Sequence, residues 1–234
     1  MSADTQKKAA AEFALKMIVN SATIGLGTGS TANYFIEAAA AKVKKEKLDT
    51  KFVPTSQATY ALAQKLGLNL VTLEDAPFLD ATIDGCDEFD GSFRLIKGGG
   101  GAMHREKLVG SSSKFMITIC DASKQVETLG AFPLPVEVSK FGVNATAWKI
   151  ERALIHLGYK DTKMRIRANA QGMPFVTESG NPIIDLKLEK ITNVEQLDGI
   201  LNNTPGVIET GFFIGICGVV IMGTDKGVVE LSRK

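Results

Sequence analysis

Histidine and cysteine are scarce in this chain, with two of the first and three of the second among 234 residues. Neither His104 nor His156 has a ligand-like partner, and Cys86, Cys120 and Cys217 stand far apart with no C-x-x-C pair. That pattern speaks against a zinc site and a disulfide framework, and it suits a reducing cytosol. Net charge is lacking too. With 27 basic and 26 acidic residues the balance is +1, which leaves no basic surface for nucleic acid. The one lysine run, Lys42, Lys44, Lys45 and Lys47, is broken by Glu46 and reads as the polar face of a helix. The longest apolar stretch, Gly211 to Gly223, is too short to span a bilayer and contains four glycines. Lys7, Lys8, Glu12 and Lys16 interrupt every apolar run near the N-terminus, so no secretory pattern is expected. These absences predict a cytoplasmic chain without membrane or nucleic-acid partners, built as one large domain or two modest ones.

What is abundant is concentrated between Asp84 and Lys107, in the run DGCDEFDGSFRLIKGGGGAMHREK. Asp84, Asp87 and Asp90 recur at spacing three, Lys97 enters four consecutive glycines, and Arg105-Glu106-Lys107 follows. Four glycines in a row are costly in backbone entropy and pack no side chain, so close approach of backbone to a ligand is the expected benefit. Carboxylates beside a lysine suit proton transfer, with the cation holding a developing oxyanion. The competing reading, an acidic hairpin followed by a loop, accounts for the acids but not for the lysine-flanked glycines.

Periodicity predicts α/β architecture. A helix pattern over 4–19 precedes a strand at Thr23 to Leu26, and a helix follows from Ala32 to Val43. Strands are expected at Lys51 to Pro54, Asn69 to Leu73, Ala81 to Ile83 and Phe115 to Cys120, with helices over 57–66 and 102–112. Short apolar strands alternating with helices imply a doubly wound, Rossmann-like parallel sheet. After Phe132-Pro-Leu-Pro135 the order changes. It reads as strand (Val136 to Ser139), helix (Ala145 to Leu157), strand (Met164 to Ala168), two strands around Ser179-Gly-Asn-Pro182, helix (193–202) and strand (Val207 to Phe213). That order approximates an α+β, ferredoxin-like pattern with one strand to spare. The final strands, Gly218 to Gly223 and Gly227 to Leu231, are expected to rejoin the first sheet. The expected division is 1–131 plus 214–234 for the large domain and 132–213 for the inserted small one.

The turn Gly25-Leu-Gly-Thr-Gly-Ser-Thr31 joins a strand to a helix start, where free N–H groups form an anion site and Ser30 and Thr31 add hydroxyls. Dinucleotide binding is disfavoured. Read from Gly25, G-x-G-x-x-G would need glycine at position 30. Read from Gly27 it ends at Ala32, but Val53-Pro-Thr-Ser56 lacks the acid that would hold a ribose. A P-loop lysine is also missing. A smaller phosphate remains as the expected ligand.

Taken in order, G-x-G-T-G-S-T, D-G-x-D-E, K-G-G-G-x-x-x-x-R-E-K and D-x-S-K closely resemble type A ribose-5-phosphate isomerase. The resemblance spans essentially the whole chain, including Lys7 and Phe132-Pro-Leu-Pro-Val-Glu137. It implies phosphate and sugar contacts at Thr28, Gly29, Ser30 and Thr31, and an acidic pair at Asp84 and Asp87 with Gly85 and Cys86 lining the site. It further implies an oxyanion lysine and loop at Lys97, Gly98, Gly99 and Gly100, the base at Glu106, and substrate-binding lysines at Lys124 and Lys7. Cys86 stands where alanine is usual, and His104 where threonine or a similar residue is common.

The implied chemistry moves a proton between C2 and C1 through an enediolate, interconverting ribose 5-phosphate and ribulose 5-phosphate without cofactor or metal. Glu106, early in its helix and beside Lys97 and Lys107, is expected to favour its ionised form. Asp84 and Asp87 would hold hydroxyls and help open the ring, titrating with Glu106 as a coupled set. A magnesium site on Asp84, Asp87 and Asp90 is the competing chemistry, but Lys97 already brings positive charge. Two rivals from other classes are a sugar-phosphate sensor, which would need a helix-turn-helix, and a CoA-transferase relative, for which the chain is short. A homodimer or homotetramer is expected from the apolar C-terminal strands and the edge of the small domain.

Overall fold

The computed structural model describes residues 1–160 and 162–233. Helix α1 (Ala3–Ala14) opens the chain, capped by the Ser2 hydroxyl accepting the Thr5 N–H, and tightens into a 3₁₀ turn at Leu15–Met17. The expected helix over 4–19 therefore ends early. Strand β1 (Thr23–Leu26) runs into α2 (Ser30–Glu46), and β2 (Lys51–Pro54) into α3 (Gln57–Lys65), capped by Ser56. Strand β3 (Asn69–Leu70) is shorter than the predicted 69–73. Then come β4 (Ala81–Asp84), a hairpin of β5 (Glu88–Phe89) and β6 (Leu95–Ile96), α4 (Met103–Ser111) and β7 (Met116–Asp121).

The next segment forms β8 (Leu134–Val138), α5 (Val143–His156), β9 (Lys163–Ile166), β10 (Ile183–Lys187), α6 (Val194–Asn202) and β11 (Val207–Thr210). Two expectations change here. Residues 174–177 make only isolated bridges, Ala168 to Pro174 and Val176 to Pro182, so the spare strand is the arm of a loose hairpin. The strand predicted over Val207 to Phe213 breaks at Gly211, beyond which β12 (Phe212–Phe213) joins a different sheet. Strands β13 (Cys217–Thr224) and β14 (Gly227–Ser232) end the fold.

Seven strands form the main sheet in the order β14-β13-β7-β4-β1-β2-β3, parallel except for β14. Every residue of β7 is buried, as expected of a strand covered on both faces. Ile117 and Ile119 there each contribute about 1.5–3 kcal/mol through removal from water. The second sheet, β11-β8-β10-β9, is antiparallel and packs Val136, Val138, Ile184 and Leu186 against Ile150 and Leu154 of α5 and Leu197 and Leu201 of α6. A three-stranded sheet, β12-β6-β5, links the two. At the link the Gly211 N–H donates to Pro135 O at 2.7 Å and the Lys97 N–H donates to Gly211 O at 2.8 Å. Lys97 is thereby tied to the small sheet by its own backbone. Among the described residues no helix is long and apolar enough to cross a membrane.

Candidate active site

In the main sheet, strand order reverses beside β1, and open α/β sheets hold ligands in the crevice at such a point, beyond the carboxyl ends of the strands. Three loops meet there: the glycine turn after β1, the acidic segment after β4, and the Ala122–Lys124 turn after β7. Helix α2 begins with no side-chain cap, because Gly29 stands at the cap position with φ +116°. Its first N–H groups, at Ser30 and Thr31, are left for an anion. Thr28 behaves differently. Its hydroxyl turns inward to Thr55, Ser56 and Thr59 at 2.7, 2.8 and 3.1 Å, so it braces the turn from behind.

Asp84 ends β4 and is wholly buried. Its Oδ1 accepts the N–H groups of Thr28 at 3.1 Å and Gly85 at 2.7 Å, and its Oδ2 lies 3.1 Å from Lys97 Nζ. Position 27 has to be glycine for this carboxylate to fit, since a Cβ there would stand 2.0 Å from Asp84 Oδ1. Lys97 Nζ donates to Gly85 O at 2.7 Å, lies 3.2 Å from Glu106 Oε1, and sits 5.3 Å from the centre of the Phe213 ring. One buried ammonium thus serves two buried carboxylates.

That imbalance sets the titration. Burial pushes the Glu106 carboxyl up, with the Asp84 charge adding to it, to about 8, and Lys97 only partly offsets the rise. Burial raises Asp84 as well. For Lys97 burial acts downward, but the carboxylates of Asp84 and Glu106 outweigh it and hold the ammonium firmly protonated. Lys97 favours ionised Glu106, as expected, but burial and the Asp84 charge outweigh it. Desolvation dominates, and Lys107 turns away to an ion pair with Glu209 and a 2.9 Å bond to Thr210 O.

Lys7, Thr28, Gly29, Ser30, Thr31, Gly85, Cys86, Asp87, Lys97, Gly98, Gly99, Gly100, Glu106 and Lys124 all line one cavity of about 140 Å³, and Asp84 lies behind Lys97. A larger apolar groove of about 390 Å³ beside α3 and β3 carries only Asp75 and Arg105 as charges, and Arg105 pairs with Glu178. Acid–base chemistry is concentrated in the smaller, polar cavity. Asp87 Oδ2 accepts the Gly99 N–H at 2.8 Å, while Asp90 turns away to Arg94 and the N–H groups of Ser92 and Arg94. Asp90 therefore does not join Asp84 and Asp87 in a cation-binding cluster. The Cys86 thiol is raised well above its ordinary value by the adjoining Cys120 thiol and by burial. His104, which stands where threonine or a similar residue is common in the family, is partly buried on α4 and keeps Nδ1 buried without a partner among the described residues. His156 is exposed at the end of α5. Sequence reading missed Arg167, whose Nη1 donates to the carbonyls of Gly98 at 2.7 Å and Gly99 at 3.1 Å. No local spacing marks it, because it is brought to the loop from the second sheet.

A helix start open to an anion beside a buried acid–lysine–acid set defines a chain built for proton transfer on a small phosphorylated ligand. The family described as ribose 5-phosphate isomerase A (phosphoriboisomerase A) matches residues 51–227. The chain is 51% identical to ribose-5-phosphate isomerase A of Parvibaculum lavamentivorans over 97% of both chains, and 48% identical to that of Methylorubrum extorquens over 97% of this chain and 95% of the other. Among solved structures it is similar to ribose 5-phosphate isomerase from Plasmodium falciparum, with TM-score 0.92, 39% identity and 99% of both chains covered. A D-ribose-5-phosphate isomerase solved with phospho-erythronic acid is also similar, with TM-score 0.90, 36% identity and full coverage of both chains. The chain belongs to the ribose 5-phosphate isomerase A family.

Proposed function

We propose that this chain interconverts D-ribose 5-phosphate and D-ribulose 5-phosphate through an enediolate, in the non-oxidative part of pentose phosphate metabolism. The observation that carries the reading is Glu106 and Lys97, 3.2 Å apart, on the wall of the cavity that also holds the start of α2. In this reading Glu106 shuttles the proton between C2 and C1, and Lys97 with the glycine-loop N–H groups stabilises the oxyanion. Asp87 orients hydroxyls and assists ring opening. Asp84, expected to hold hydroxyls alongside Asp87, is wholly buried outside the cavity lining and in this reading holds Lys97 in place instead. Ser30, Thr31, Lys124 and Lys7 receive the phosphate. Metal is not required, because Lys97 provides the positive charge. The chain works in the cytoplasm as a homodimer or homotetramer. Residues 1–131 with 214–234 make the catalytic domain, and 132–213 the inserted one.

Conversion of ribose 5-phosphate by the purified chain tests the activity, with unphosphorylated ribose expected to be a poor substrate. Replacing Ser30 and Thr31 with alanine should mainly raise KM. Phospho-erythronic acid, bound in the related structure, carries a carboxylate where the enediolate would form and should compete with substrate. Equal efficiency on ribose would remove the phosphate assignment.

A further inference from the structure

We propose that Arg167, contributed by the second sheet, is a positioning residue that aims the N–H groups of the glycine loop at the reacting oxygen. The proposal rests on the isomerase reading above. Its basis is the direction of two peptide units. In a trans peptide the carbonyl and the following N–H point opposite ways. Arg167 Nη1 takes the carbonyl of Gly98 at 2.7 Å, and on the far side of that unit the Gly99 N–H reaches Asp87 Oδ2 at 2.8 Å. The same Nη1 takes the carbonyl of Gly99 at 3.1 Å, which turns the Gly100 N–H away from Arg167. Gly100 lines the cavity, and its N–H has no acceptor among the described residues. One nitrogen thus fixes two peptide units, so that the Gly99 N–H holds Asp87 and the Gly100 N–H is left for an enediolate oxygen in the cavity.

The guanidinium is itself held. Nε donates to Asp185 Oδ2 at 3.1 Å, Nη2 pairs with Asp185 Oδ1, and the Arg167 N–H donates to Ile183 O at 2.8 Å. Its side chain is 13% exposed. A planar fork can bind a carboxylate on one side and two carbonyls on another, which a lysine ammonium cannot reproduce. The glycines matter here because a Cβ on residue 99 would meet Asp87 Oδ1 at 2.8 Å, and residue 98 has φ +105°. Phe175, whose N–H donates to Arg167 O at 2.8 Å across the loose hairpin, abuts Gly101 and limits the loop from the same side.

The test compares wild type, Arg167→Ala and Arg167→Lys for turnover of ribose 5-phosphate and for binding of inorganic phosphate and of phospho-erythronic acid. For Arg167→Ala we expect kcat to fall by about 10²-fold, as for loss of an oxyanion donor. Phosphate affinity should be kept, affinity for the acid should fall about tenfold or more, and sub-denaturing guanidinium should restore part of kcat. Arg167→Lys should show the same split to a smaller extent, and it carries the test if the alanine variant does not fold. Wild-type kcat in either variant overturns the proposal. So does joint loss of both ligands without rescue, which would make Arg167 a folding residue. If the wild-type chain does not turn over ribose 5-phosphate, the isomerase reading falls and the positioning role falls with it.

Discussion

Two charge clusters that interleave in sequence, one reaching the surface and one enclosed, are built differently. At the β5–β6 hairpin, Asp90 is saturated: Oδ1 accepts the Ser92 and Arg94 N–H groups at 2.9 and 3.1 Å, and Oδ2 takes the Arg94 guanidinium. The neighbouring Arg94 fork also reaches Glu195 at the surface. In the cavity, a single Lys97 ammonium is divided between Asp84 and Glu106, all three nearly or wholly buried. The first cluster satisfies its one buried acid, Asp90, completely and closes a turn, leaving Glu195 to solvent. The second leaves one negative charge in excess, and burial turns that excess into a carboxyl poised near neutrality. Each cluster sets one cation between two acids, so burial of the second acid, with Glu195 at the surface and Glu106 enclosed, separates the reactive cluster from the structural one.

The strongest way to break this contrast is to replace the base. Glu106→Gln keeps the shape and removes the titrating group. It should lower kcat by about 10²–10⁴-fold and abolish solvent-deuterium incorporation at the transferred carbon. A variant that still exchanges that proton at close to the wild-type rate would pass the role of base to Asp84 or Asp87.

Next comes the shared cation. Lys97→Ala should lower kcat by about 10²–10³-fold and destabilise the fold by about 3–5 kcal/mol near pH 8, because two buried carboxylates lose their partner. Denaturant titrations should find the stability loss shrinking as pH falls, since both acids can then take up protons. A pH-independent loss would argue that packing of the lysine stem, not its charge, matters.

A smaller effect sharpens the comparison through pH. Glu106 titrates at about 8 when folded against an ordinary 4.5. The acid limb of kcat/KM should therefore lie far above 4.5, toward 8, as a property of the coupled Asp84–Lys97–Glu106 set. Between those two values the folded chain holds a proton that the unfolded chain has released. This group's contribution to stability accordingly falls as pH rises from about 4.5 through about 8. Glu106→Gln should flatten that slope in urea titrations at several pH values, and an unchanged slope would reject the shift.

The smallest effect on turnover belongs to the saturated cluster. Arg94→Ala should cost about 1–3 kcal/mol in stability by leaving Asp90 partly unpaired, while kcat falls far less than in Lys97→Ala. A loss of kcat equal to that of Lys97→Ala would erase the distinction.

Much of this was legible residue by residue. Thr23 to Leu26 and Lys51 to Pro54 are strands as read, because short β-rich apolar runs between glycine and polar turns have few other local solutions. The glycine turn, Lys97, Glu106 and the lysines at 7 and 124 stand out in the sequence, and they line one cavity. The break at Gly211 was not legible, since Val207 to Phe213 is uniformly strand-like and only its partners, β8 on one side and β6 on the other, divide it. Thr28 lines the cavity, but that its hydroxyl is tied to three hydroxyls that arrive after β2 was not legible. Arg167 carried no signal at all, because its carbonyl partners lie about seventy residues away.

By itself the sequence determined the alternation of strands and helices, the open helix start at Ser30 and the identity of the acids and the lysine. These follow from local sterics, periodicity and side-chain chemistry. The tertiary structure alone decided which carboxyl would be driven up, where Lys107 would point, and that a residue of the second sheet would grip the glycine loop. Desolvation and Coulomb energy depend on which distant groups are brought within a few ångströms and how much water they exclude, and the chain order specifies neither until the sheets have packed.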